Sequence, residues 1–99
     1  MSYKLIILKK AAEDTVEAYQ YYENLQPGLG DRFLEEVLKR YNDVSKHPHY
    51  YDFIDSQNVI RDVMLKNFPY LILYEIEDDS VIVYSVHQGY KHPDKRFRK

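Results

Sequence analysis

The sequence predicts an α+β fold of two layers, with an N-terminal strand and an antiparallel helical hairpin ahead of a three-stranded antiparallel meander. Three observations carry this. Residues 11–25 and 29–46 repeat apolar side chains at helical spacing, and Gln26-Pro27-Gly28 parts them. Three later segments are short and either densely apolar or alternating. The turns between them are too short for a crossover helix, so consecutive strands must pair antiparallel.

The elements follow in order. Tyr3 to Leu8 reads as a strand whose near-continuous apolar character asks for cover on both faces over part of its length. Ala11 to Leu25 offers two adjacent stripes, one through Ala12, Val16 and Tyr19, the other through Ala11, Thr15, Ala18, Tyr22 and Leu25. Leu29 to Lys46 has the clearest periodicity: Leu29, Phe33, Val37, Tyr41 and Val44 share a face that Leu34 and Leu38 widen. Its acids come early and its bases late, as the helix dipole prefers, and His47-Pro48 ends it. His49 to Gln57 is a loop too apolar to stand free in water. Asn58 to Lys66 alternates Ile60 and Met64 against Arg61, Val63 and Leu65. Tyr70 to Ile76 is a dense apolar run that puts Tyr70 and Tyr74 on one face, most simply the core. Val81 to His87 places Val81, Val83 and Ser85 on one face and Ile82, Tyr84 and Val86 on the other. The sheet's second face is left as the natural partner or substrate surface.

Composition narrows the function classes. The 99 residues are expected to form one domain, 1–99. There is no cysteine, which excludes a disulfide framework, a thiolate nucleophile and a zinc–thiolate site, and fits a reducing cytosol. No apolar run approaches the ~20 residues of a membrane span, and Lys9-Lys10 ends the first strand-sized one, so a cytoplasmic protein without a signal peptide is expected. The net charge of −2 hides an asymmetry. Ala11 to Val44 carries eight acids and three bases, whereas His87 to Lys99 carries five bases and one acid. No cofactor and no metal are expected: His47 and His49 flank Pro48 with no further ligand at a matching spacing, and read as loop residues.

An ordered series of short features resembles the ParE/RelE toxin superfamily, nearer its ParE-like members, over almost the whole chain. Ala11 to Tyr22 is similar to the family's alanine- and tyrosine-bearing first helix. Gly28-Leu29-Gly30-Asp31-Arg32-Phe33 resembles its GxGxxF helix start. His47-Pro48 with Tyr51 resembles its NPxxY loop, with His for Asn. Ile60-Arg61, Phe68-Pro69-Tyr70-Leu71-Ile72-Leu73-Tyr74, and Val86-His87 before a basic stretch with Pro93 complete the series. Lys91 stands where the family often has Arg, and the step from His87 to Pro93 is one residue longer than usual.

The resemblance implies the toxin of a type II toxin–antitoxin pair and leaves three functions open. The first is a ParE-like toxin that acts by binding, with DNA gyrase as the suggested target. The second is a RelE-like endoribonuclease that cleaves messenger RNA on the ribosome without metal. The third is an antitoxin-binding member of the fold with no toxicity. The nuclease would need a base, an acid and cations around one phosphate. Its candidates are His87, Arg61, Tyr90 and Lys91, with His92 and Arg96 beside them. His87 has the side chain suited to proton transfer near neutrality, Arg61 could grip phosphate, and Tyr90 could stack on a base or move a proton. Each also has a plain structural role available: a strand end for His87, an ion pair with Asp55, Asp62 or Glu75 for Arg61, and a solvated tail for Tyr90, Lys91 and His92. The discriminating question is whether Arg61, His87 and Lys91 converge. In all three functions an antitoxin segment lies across the chain as strand or helix, and His92, Lys95, Arg96 and Arg98 form the basic end that would attract an acidic one.

Overall fold

The computed structural model describes residues 2–89. Their order is β1 (Lys4–Ile7), α1 (Lys9–Leu25), α2 (Leu29–Lys46), a 3-10 turn (Pro48–Tyr50), β2 (Ile60–Met64), β3 (Tyr70–Glu77) and β4 (Ser80–Gln88). The helical hairpin packs on one face of a four-stranded sheet ordered β1-β4-β3-β2, the two-layer α+β arrangement expected. The meander β2-β3-β4 is antiparallel, and β1 adds to it in parallel with β4, from Lys4 opposite Ser80 to Ile7 opposite Val83. No helix among the described residues is long and apolar enough to cross a membrane.

On α2 the expected stripe is the core. Phe33, Val37 and Val44 are fully buried and Tyr41 nearly so, each worth roughly 1.5–3 kcal/mol against the exposed state. Leu38 does not widen it and is 55% exposed. On α1 only one of the two stripes is used. Ala11 and Ala18 are buried, with Thr15 and Tyr22 half-buried, whereas Val16 is 56% exposed. Small residues occupy the buried side, and the two helices approach closely where Gly30 meets the Tyr19 carbonyl. Tyr22 and Phe33 then meet Phe68 and Tyr70 of the sheet side, with ring centroids 4.8–6.0 Å apart.

The hairpin turn is held by one carboxylate. Glu23 accepts hydrogen bonds from the Gly28 and Gly30 amides, both at 2.9 Å. This places negative charge at the start of α2, where the unsatisfied amides and the dipole favour it. Gly28 has φ +90°, which a residue with a Cβ adopts only under strain. A Cβ on Gly30 would lie 2.7 Å from the Tyr19 carbonyl oxygen.

Two expectations are corrected. β1 is not covered on both faces. It is a four-residue edge strand, Tyr3 and Leu5 pack on the core, and Ile6, Ile7 and Leu8 remain 36–38% exposed. The second correction concerns β4. Leu73 pairs with Ser85 but Tyr74 pairs with Val83, so Tyr84 is an extra residue, a β-bulge. Strand parity therefore changes at Tyr84. Val81, Val83 and Val86, rather than Val81, Val83 and Ser85, oppose Ile76, Tyr74 and Ile72 on the helix side. The bulge exchanges a serine for a valine in the core.

Gly30→Ala should therefore destabilise the chain by about 2–3 kcal/mol, read as a lower midpoint in urea unfolding. An unchanged midpoint would mean that the helices part without cost.

Candidate functional site

Arg61 lies on β2 opposite Tyr74, facing the helix side of the sheet. Its guanidinium donates to the carbonyls of Tyr51 (2.6 Å) and His49 (3.3 Å) and sits 3.9 Å from the centre of the Phe53 ring. Its ion pair with a carboxylate was the structural expectation. Asp55 instead accepts the Val59 and Ile60 amides. The Ile60 amide is the main reason the Asp55 carboxyl is held below its usual range. Beside Arg61, the Tyr74 hydroxyl donates to the Pro48 carbonyl at 2.7 Å. Burial pushes that phenol well above its ordinary range. Arg61 and Tyr74 thus pin the 47–53 loop to the sheet, with one guanidinium nitrogen of Arg61 donating to both carbonyls.

His87 is on the other face. It pairs with Leu71, an odd step along β3 from Tyr74, and its Nδ1 lies 3.3 Å from the Ser85 hydroxyl. Without the bulge at Tyr84, His87 would share the parity of Val83 and so the face of Arg61. With it, two of the three candidate groups for one phosphate are separated by the thickness of the sheet. Asp62, Leu73 and Ser85 form one row of this outer face, and Met64, Leu71 and His87 the next. Asp62 and Ser85 are buried polar residues there. Tyr84 donates to the Glu75 carboxylate, and that bond, ahead of burial, raises its phenol to about 12.

Tyr90, Lys91, His92, Lys95, Arg96 and Arg98 lie outside the described residues. The described residues 2–89 carry 15 acids and 9 bases. A cleft of about 320 Å³ between α1 and the end of β4 is lined by Asp14, Glu17, Tyr21, Tyr70, His87 and Gln88 among others, and contains no lysine or arginine. Burial, then Tyr21 and Glu17, raises the Tyr70 phenol, as a negative field would. His47 and His49 border a separate concavity with Tyr3, Lys46 and Tyr50. Among the described residues no group of three potential ligands could hold a metal ion.

Three carboxylates matter that the sequence presents only as an acidic face. Asp14 accepts the Val86 amide just past the bulge, at 3.0 Å, and pairs with Lys10. Glu36 accepts the amides of Lys66 and Asn67 and the Asn67 side chain. Glu23 caps α2. Only Glu23 left a readable signal, a carboxylate shortly before a Pro-Gly break. The other two reach partners 30 or more positions away.

Arg61→Met should cost about 1 kcal/mol, since the contact to the His49 carbonyl is exposed and that to the Tyr51 carbonyl only partly buried, and should speed amide exchange across residues 49–53. Lost growth arrest with unchanged stability would instead return Arg61 to the functional candidates. Glu75→Gln should lower the ionisation of Tyr84 from about 12 toward ~10 in a spectrophotometric titration. Because the folded value is the higher one, the contact's contribution is present below pH ~10 and fades as pH rises through about 12.

Comparison with known proteins agrees with this geometry. No curated protein matches the sequence. A chain of the chromosomal ParDE toxin–antitoxin system from P. aeruginosa superposes with a TM-score of 0.78 at 13% identity, over 89% of this chain and 97% of that one. The RelBE2 toxin–antitoxin complex from Mycobacterium tuberculosis gives 0.61 at 17%, over 92% and 95%. A mutant of the E. coli toxin RelE in the free state gives 0.56 at 17%, over 99% and 93%. At these identities the superpositions show the fold. The family of ParE toxins of the type II toxin–antitoxin system parDE matches residues 5–90, and the chain belongs to that family.

Proposed function

We propose that this chain is a growth-arresting toxin that acts by binding a protein target rather than by cutting RNA, in the ParE-like manner, with DNA gyrase the first target to test. The observation that carries this is the placement of Arg61 and His87 on opposite faces of the sheet, with Arg61 committed to two loop carbonyls. A metal-free ribonuclease needs its cations and its proton carrier around one phosphate. The charge of the described body adds support. With 15 acids against 9 bases it repels a polyanion, and it suits a protein surface better. A cognate antitoxin holds the toxin inactive in the cytoplasm, as the family membership suggests.

The test is induction in a bacterial host without antitoxin, with labelled amino-acid incorporation followed over the first minutes. Growth should stop while incorporation continues, and purified chain should inhibit gyrase supercoiling. A prompt fall in incorporation would favour messenger cleavage and bring back His87 together with Tyr90, Lys91 and the basic end. Normal growth would sink the toxin reading.

A further inference from the structure

We infer that the concavity around the 3-10 turn binds a flat aromatic ring that carries a phosphate, as a mononucleotide does. The turn is held firmly for one so exposed. The carbonyls of Pro48, His49 and Tyr51 are all taken by side chains of the sheet, the first by the Tyr74 hydroxyl and the other two by the Arg61 guanidinium. The Tyr50 amide donates to the His47 carbonyl at 3.2 Å, and the His47 amide to the Asp43 carbonyl at 2.9 Å. The Tyr3 amide donates to the Ser45 carbonyl at 2.7 Å, which fixes the opposite wall. Tyr74 is fully buried, so the core itself anchors the turn, yet Tyr50 is carried outward and stands 80% exposed. An exposed segment positioned by a rigid scaffold is where binding residues concentrate.

The lining selects the ligand. Tyr3, Lys46, His47, Pro48, His49 and Tyr50 enclose about 440 Å³, within the ~300–1,000 Å³ usual for small-molecule sites. None of the six is acidic, although acids outnumber bases in the described body. Lys46 is exposed and has no ion pair among the described residues. Its ammonium and the N–H groups of His47 and His49 are donors suited to a phosphate. Tyr50 supplies a ring on which a base can stack, since every base has a π face. The rings are already ordered: Tyr51 meets Tyr50 edge to face at 5.1 Å, and Tyr3 meets His49 at 6.0 Å. α2 ends at Lys46, and its dipole disfavours an anion there. Two carbonyls of its last turn are occupied, Asp43 by His47 and Ser45 by Tyr3, and the Lys46 charge opposes the remainder. The phosphate therefore belongs on the side chains. One exposed ring beside one ammonium makes room for one base and one phosphate, which suits a mononucleotide rather than a strand. A second basic concavity, lined by Glu36, Lys39, Arg40, Lys66 and Asn67, has no aromatic wall and includes a carboxylate, so it serves as the internal control.

The experiment titrates the isotope-labelled full chain at low salt with adenosine monophosphate, adenosine, inorganic phosphate and a single-stranded oligoadenylate, read by amide shifts. The monophosphate should shift Tyr3 and residues 46–50. It should bind about tenfold or more tightly than adenosine or phosphate, because it alone uses both the ring and the ammonium. Tyr50→Leu keeps an apolar side chain and removes the ring, and should bring the monophosphate to the level of phosphate. Lys46→Gln should bring it to the level of adenosine. Both positions are exposed, so the remaining spectrum of each variant should be kept. A monophosphate that binds no better than either of its halves, shifts confined to Lys66 and Asn67, or affinity unchanged in Tyr50→Leu would overturn the inference. So would an oligoadenylate that binds more tightly than the monophosphate, which would assign the concavity to a strand. The titration requires no toxicity, so its failure removes the nucleotide site and leaves the proposed function to the growth assay.

Discussion

The extra residue at Tyr84 is the constraint on which both the core and the chemistry of this molecule depend. Side chains alternate along a strand, so one inserted residue moves everything after it to the other face. Up to Val83 the parity places valines under the helices. Beyond it the uninterrupted parity would turn Ser85 to the helix side and Val86 to the outer face. The bulge reverses this, and Val86 meets Ile72 in the core. The same step carries His87 to the outer face, away from Arg61. One local irregularity therefore puts a valine on the helix side and sets His87 and Arg61 on different faces. Asp14 of α1 takes the Val86 amide, so the helix itself stabilises the strand just past the irregular residue.

The rest of the scaffold repeats that device. Polar side chains from one element satisfy backbone groups of another where ordinary secondary structure runs out. Glu23 does so at the start of α2, Glu36 at the turn between β2 and β3, Arg61 and Tyr74 at the 47–53 loop, and Asp55 at the entry to β2. An unpaired buried carbonyl or amide costs about 1–3 kcal/mol, which applies to the Pro48 carbonyl that Tyr74 reaches; the exposed contacts of Glu36 and Asp55 order the chain without that penalty. Four of the fifteen acids of the described body are used this way. Asp14, Glu23, Glu36 and Asp55 are engaged with backbone, whereas Glu13 and Glu17 stand exposed, Glu17 at the cleft beside Tyr70.

This member of the ParE toxin family has a body with more acid than base. Its open features are an apolar strand edge, a cleft lined in part by Tyr21 and Tyr70, and an exposed tyrosine on a 3-10 turn. Arg61, the residue that most resembles a phosphate grip in sequence, serves architecture. Loops hold function when a rigid scaffold presents them, and Arg61 makes the 47–53 loop rigid.

Periodicity in the residues was enough for the two helices, their hairpin, the meander and the α2 core stripe, because burial of Phe33, Val37, Tyr41 and Val44 imposes a spacing that survives any tertiary context. The order of short motifs was enough for the family. Tertiary structure alone chose between the two stripes of α1, because the periodicity allows either face, and it buries Ala11 and Ala18 rather than Val16. It alone set β1 at the edge, since an apolar run reads the same whether its cover comes from the chain or from a partner. The bulge, and with it the face of His87, had no signature in the alternation of Val81 to His87. A pattern of period two records which neighbours differ, and cannot record where one residue is skipped.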